Sequence, residues 1–145
     1  MATIQRFMVD GQAEPVSHYC HVVKVDNQVW VSGTVGIDRN GSIPRSVVEQ
    51  FDVALSNLEI CLRAAGAEPR HVVKVTVFLT NVADRALINP ARQRFFGEHR
   101  PASTLVEVSA LVLPDLKVEI EAQAVIAVCT FLPLRLGGGV GGRGR

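Results

Sequence analysis

The stretch from Val47 to Ala65 limits the possible folds more than any other. Its apolar positions are Val47, Phe51, Ala54, Leu55, Leu58, Cys61, Leu62 and Ala65, with Glu49, Asp52, Asn57, Glu59 and Arg63 between them. At 3.6 residues per turn the first set forms one stripe and the second lies opposite, so the stretch is a helix with one face to bury. Ser46 with Glu49 three residues on fits a capping box, and Gly66 is placed to end the helix.

Strand-like runs surround this helix: Ile4 to Val9, Tyr19 to Val25, Gln28 to Gly33, His71 to Thr80, Ser103 to Ala110 and Lys117 to Val128. Asp26-Asn27 reads as a tight hairpin and Asn40-Gly41 as a turn. A second helix is expected between Asp84 and Phe96. Pro90 sits inside it and lacks an amide hydrogen, so either the helix kinks there or Asn89 caps a helix beginning at Pro90. The order is βββαβαββ.

Two helices cover only one face of such a sheet. In the last strand Val118, Ile120, Ala122, Ala124 and Ile126 suit the helix side, while Lys117, Glu119, Glu121 and Gln123 point the other way. Grouping Ser103, Leu105, Glu107 and Ser109 with Val72, Lys74, Thr76, Phe78 and Thr80 gives a face too apolar for plain solvent and too polar for a core. We expect that face to pack against another subunit around a wet cleft.

A chain of 145 residues holds one core, so residues 1–132 are read as a single domain. Residues 133–145 are Gly/Arg-rich, lack periodicity and are expected to be a flexible extension. Three of the fifteen Lys and Arg residues lie in that extension and all fourteen acids precede it, leaving residues 1–132 at −2. A basic nucleic-acid platform is therefore not expected. No run is long and apolar enough to span a membrane, and residues 1–11 lack a secretory pattern, so a cytoplasmic protein is expected. Cys20, Cys61 and Cys129 are read as free thiols, since three cysteines without a C-x-x-C spacing indicate neither a disulfide framework nor zinc. His18 and His21 fall on opposite faces of a strand and cannot share a metal; no metal site is expected.

The stretch RPASTLVEVSALVLPDLKVEIEAQAV, Arg100 to Val125, resembles the signature of the Rid/YjgF family: Pro-Ala-Arg-Ser/Thr, an alternating strand, Leu-Pro, then Val-Glu-Ile-Glu-Ala. VWVSGTVG (Val29 to Gly36), VVKVTVFLTNVADRALIN (Val72 to Asn89) and AAGA (Ala64 to Ala67) follow the family's order, and the likeness covers roughly residues 15–128. It implies a chorismate-mutase-like α+β fold, with one mixed sheet, two helices on one face, and a homotrimer with clefts between subunits. It also implies a cofactor-free deaminase-like hydrolase of a reactive enamine or imine metabolite.

Carried over residue by residue, the resemblance places Tyr19, Ser32, Asn89 and Glu119 at the cleft. Ser103 stands where the deaminating subgroup has arginine, and Leu105 where it commonly has Cys or Thr. Imine hydrolysis needs a placed water, a group to orient or deprotonate it, and a cation for the substrate carboxylate. Glu119 suits the second task; a serine hydroxyl cannot supply the charge that an arginine fork would. A non-catalytic small-molecule-binding or regulatory trimer is the alternative. Arg92, Arg94 and Arg100 are near enough in sequence to replace the cation, though Arg100 faces away if the strand reaches it and Arg92 and Arg94 are expected in solvent. Without the resemblance, Glu119 reads as a solvent-facing strand residue, Asn89 as a helix cap, Tyr19 as an interface aromatic and Ser32-Gly33 as a small-residue strand end.

Overall fold

In a computed structural model of the chain, which describes residues 1–128, six strands form one sheet and two helices pack on it. The strands are β1 (Ile4–Phe7), β2 (Val22–Val25), β3 (Gln28–Val35), β4 (Val72–Leu79), β5 (Ala102–Glu107) and β6 (Val118–Val125). The helices are α1 (Val47–Ala64), between β3 and β4, and α2 (Arg85–Phe96), between β4 and β5. The sheet order is β1-β2-β3-β6-β4-β5; β4 and β5 run parallel and every other pair is antiparallel, so the sheet is mixed. Cys129 and the expected extension at 133–145 lie outside the described residues.

All eight apolar positions of the helical stripe are buried. Phe51, Leu58 and Leu62 are fully excluded from solvent, each contributing about 1.5–3 kcal/mol by leaving water. They meet Val29 and Val31 of β3 and Val118, Ile120 and Ala122 of β6 in one core. Ile88, Ala91 and Phe96 bring α2 into that core beside Val75, Val77 and Leu79 of β4, so both helices cover the same sheet face. The Ser46 hydroxyl caps α1 by accepting from the Glu49 amide at 3.1 Å. At the other end the amides of Gly66 and Ala67 donate to the Arg63 and Leu62 carbonyls, with Gly66 at φ +82°, a conformation that a side chain would strain.

Two polar residues of α1 depart from the expected pattern. Asn57, placed opposite the stripe by periodicity, is buried and donates through Nδ2 to the Val35 and Ile37 carbonyls at 3.1 and 2.9 Å. Gln50 is fully buried: its Nε2 donates to the Pro44 and Asp115 carbonyls, and its Oε1 accepts from the Lys117 amide at 2.8 Å. These amides satisfy backbone groups at strand ends that no ladder reaches. Gly36 permits the approach, because a Cβ there would lie 2.5 Å from the Gln50 carbonyl oxygen.

Asp26 and Asn27 form the two-residue β2–β3 loop, with Asp26 at φ 50°, and Gly41 turns the chain at φ +79°. Helix α2 runs through Pro90; Asn89 is an internal helical residue rather than its cap.

Candidate functional site

Strand β3 loses its regular pairing with β6 between Val31 and Thr34, where three steps along β3 match two along β6. Such a bulge re-aims the chain, and here it places Ser32 and Gly33 beside Glu119. A Cβ on Gly33 would fall on the Glu119 carboxylate, so the glycine is what admits that side chain. Glu119 pairs with Val35 on one side and Phe78 on the other, placing it on the face the helices leave open. The carboxyl is half-buried, and its pKa is raised above the ordinary carboxylate range, first by lost solvation and then by the neighbouring Glu121 charge. Among the described residues no hydrogen bond or ion pair occupies it.

Ser32 ties a second segment to the bulge. Its hydroxyl donates to the Cys20 carbonyl at 2.7 Å and its amide to the His21 carbonyl at 3.0 Å, which fixes the turn carrying Tyr19. Tyr19, 47% exposed, and Ser32 line a cavity of about 90 Å³ with Gly33, Asn57 and Leu113. Segment 9–14 forms another wall and hangs on His21: Nδ1 accepts from the Val9 amide at 2.8 Å, and Nε2 lies 2.9 Å from the Ala13 carbonyl, donating in the neutral tautomer this requires. His21 was an unremarkable histidine in the sequence; nothing local marks it as a wall support. Cys61 borders the same cavity, buried, its thiol pushed up to about 11 by desolvation, which makes it unreactive at neutral pH. Cys20 is also a free thiol.

The remaining site residues lie elsewhere, and here the sequence grouping needs correction. Parallel pairing sets Ser103 opposite Val75 and Leu105 opposite Val77, both on the helix-covered face. The open face instead holds Lys74, Thr76, Phe78 and Thr104, where Lys74 Nζ donates to the Thr104 hydroxyl at 2.7 Å. The two strands pair with an even offset, so odd positions of β5 follow odd positions of β4; the proposed mixed face joined residues from opposite sides. Within one chain Ser103 and Glu119 therefore occupy opposite sides of the sheet.

What Ser103 meets is Arg92. From α2, Arg92 Nη2 donates to the Ser103 hydroxyl at 2.8 Å, and the guanidinium is half-buried, with its pKa lowered by desolvation. The expectation of a solvent-facing Arg92 is overturned: its side chain reaches from α2 to a hydroxyl on β5, a contact invisible to helical periodicity. A groove of about 570 Å³ opens there, lined by Asn89, Arg92, Gln93, Phe96, Arg100 and Pro101. Arg100 precedes β5 and so escapes the strand alternation that would have turned it away. Arg94 is exposed and borders a different hollow with Asp52 and Glu59. Among the described residues no group of His, Cys, Asp or Glu is arranged to hold a metal, and no helix is long and apolar enough to cross a membrane.

A mixed sheet with two helices on one face makes this a small α+β protein, with a bulge-seated carboxylate on one side of the sheet and an arginine-lined groove on the other. Residues 11–126 match the model of the endoribonuclease L-PSP family. A mouse 2-iminobutanoate/2-iminopropanoate deaminase is 36% identical over 129 residues, 86% of this chain and 95% of that protein. The crystal structure of the Escherichia coli YjgF gene product superimposes with a TM-score of 0.79 at 31% identity, covering 85% of this chain and 99% of the other. E. coli TdcF, solved with bound serine, gives a TM-score of 0.77 at 31% identity, over 84% of this chain and all of the other. The chain belongs to the Rid/YjgF family, that of endoribonuclease L-PSP.

Proposed function

We propose that the chain is a cofactor-free, deaminase-like hydrolase of a reactive enamine or imine metabolite, working in the cytoplasm as a homotrimer with its clefts between subunits. The observation that carries this reading is the Glu119 carboxylate, half-buried over Gly33 beside the cavity of Tyr19 and Ser32, with its pKa raised. A general base works best when its pKa approaches the working pH, and burial moves Glu119 that way. An enamine first takes a proton at carbon and gives one up from nitrogen to become the imine. Glu119 then accepts a proton from water as the oxygen bonds to the imine carbon and passes it to nitrogen, giving a carbinolamine; it next takes the hydroxyl proton and delivers it to nitrogen as the C–N bond breaks, leaving a carbonyl and ammonia. The Tyr19 hydroxyl is available to orient the water or the substrate. The deaminase name of the mouse relative supports this assignment.

The trimer supplies what one chain lacks. With Glu119 and the Arg92–Ser103 pair on opposite sheet faces, a neighbouring copy is the means of bringing cation and carboxylate to one substrate. The net charge of −2 over residues 1–132 disfavours nucleic acid as the partner, despite the family's endoribonuclease description. Ammonia release from imines generated in situ by an amino-acid oxidase tests the reading. Wild type should accelerate it, and Glu119→Gln should lower the acceleration at least about a hundredfold while remaining folded. An active wild type with a fully active variant would remove Glu119 from the mechanism. Ligand binding without any turnover would favour the regulatory trimer, the reading that Ser103 alone supports.

A further inference from the structure

We propose that His21 is an acid-sensitive positioning residue of the Tyr19 cavity: its neutral ring clamps the 9–14 segment that walls the cavity, and a proton on that ring releases the wall. The clamp stands on geometry alone; only its effect on turnover rests on reading the chain as an imine hydrolase. One imidazole reaches both ends of the segment. Nδ1 accepts from the Val9 amide at 2.8 Å, and Nε2 lies 2.9 Å from the Ala13 carbonyl. The segment's own closure is looser, with the Gln12 amide donating to the Val9 carbonyl at 3.3 Å around Gly11 at φ +80°. The Gln12 side chain adds a contact from Nε2 to Asn57 Oδ1 at 3.4 Å. Both ring bonds are shorter than either of these.

The backbone that bears the ring is fixed on both sides. The His21 amide donates to the Phe7 carbonyl at 3.1 Å, and its carbonyl accepts from the Ser32 amide at 3.0 Å, which ties it to the end of β1 and to the bulge that seats Glu119. A neutral imidazole offers one acceptor and one donor, as an amide hydrogen and a carbonyl require. A proton taken from solvent occupies the Nδ1 lone pair, so the ring faces the Val9 N–H with an N–H of its own. That bond is lost and the Val9 amide turns to water. The ring is half-buried and within reach of such a proton. Around it, Glu14, Tyr19 and Cys61 share the cavity, while β3 and residues 112–113 present only uncharged side chains there. Asp10 lies on the segment, His18 and Cys20 on the turn of His21 itself, and Arg6 on β1. The Arg39 guanidinium lies against Gly11, where a Cβ would be 2.8 Å from it. Among the described residues no carboxylate forms an ion pair with the ring, so a charged ring gains no partner and adds to the positive charge of Arg39.

Amide hydrogen exchange of the full-length protein, followed at Val9 from about pH 8 to about pH 5, reads the clamp without any ligand. Protection, corrected for the intrinsic rate at each pH, should fall at least about fivefold in wild type, the range of one lost hydrogen bond. The Lys117 amide, held by Gln50, should stay protected throughout. His21→Asn sets an oxygen near the place of Nδ1 and does not titrate, so Val9 should remain protected with no step. His21→Gln, whose amide donor falls near the place of Nε2, should lower Val9 protection at every pH, also with no step. Ammonia release is read on the same samples as the ratio of wild-type to His21→Asn rates, in which the titration of Glu119 and the imine's own hydrolysis cancel. That ratio should fall at least about threefold over the same interval. Should His21→Asn fail to fold, His21→Gln takes its place in the ratio. The inference is overturned if wild-type Val9 protection does not change with pH, or if either variant keeps the step. It is also overturned if the step is present while the rate ratio stays flat, which would make His21 a structural tie alone. A wild type that shows the step but hydrolyses no imine would defeat the hydrolase reading, and with it the effect on turnover, and leave the clamp standing.

Discussion

Glu119 and Gly33 are coupled by volume. A methyl group at position 33 has no backbone penalty to overcome, yet it would occupy the place of the carboxylate and force Glu119 into another rotamer. Gly33→Ala should therefore leave the melting temperature within a few degrees of wild type while lowering imine hydrolysis about as far as Glu119→Gln, a split read by calorimetry and ammonia release on the same samples. The raised pKa of Glu119 has a stability sign as well. Folding favours its protonated form, so its contribution is fully present below the ordinary carboxylate pKa and is lost as pH rises through the raised one. Glu119→Gln, permanently neutral, should melt higher than wild type at neutral pH and lose that advantage in acid. The wild-type rate should fall on acidification with a midpoint above the usual carboxylate range. Equal melting temperatures at neutral pH, or a rate limb at or below that range, would argue against the burial of this charge.

At the scale of elements, α1 is held by its apolar stripe and by two buried amides. Gln50 satisfies the Lys117 amide and two carbonyls, and thereby fastens the loop before β6 to the first turns of α1. Gln50→Leu keeps bulk but leaves those groups unpaired inside the protein, at about 1–3 kcal/mol for each one that water does not reach. Urea denaturation should show a loss of about 2–4 kcal/mol; a loss below about 1 kcal/mol would mean the loop rehydrates freely. The sequence displayed this helix's stripe and caps but hid the amides, because Gln50 and Asn57 read as ordinary polar positions until β3 and the 113–117 loop are laid beside them. Helix α2 was expected with its ends but not its course through proline. The expected helix between Asp84 and Phe96 is there, but of the two readings Pro90 left open the Asn89 cap fails: the helix runs through Pro90 from Arg85 to Phe96, with Ile88, Ala91 and Phe96 holding it to the core. Packing outweighed the one lost backbone bond.

For the whole molecule, the open sheet face is the surface on which the proposed trimer would form. Trp30, Lys74, Thr76, Glu121 and Gln123 border a hollow of about 390 Å³ on the side without helices, and Trp30 remains 36% exposed. A half-exposed indole on a sheet face without helices is the kind of surface that the proposed copies would cover. Sedimentation equilibrium at micromolar concentration should return about three times the 15.7 kDa chain mass. A stable monomer that still hydrolyses imines would end the interfacial reading.

Local pattern in the sequence determined the elements themselves: the α1 stripe between Ser46 and Gly66, the alternation of β6, the Asp26-Asn27 hairpin and their βββαβαββ order. The ordered family blocks added the fold and drew attention to Glu119, Tyr19, Ser32 and Asn89. Only the tertiary structure decided which side Ser103 faces and what stands beside it. That side depends on the register of β5 against β4, which sets Ser103 opposite Val75 and is a property of two strands far apart in sequence. The reach of Arg92 from helix to strand is likewise a distance between elements, which no periodicity within either one specifies.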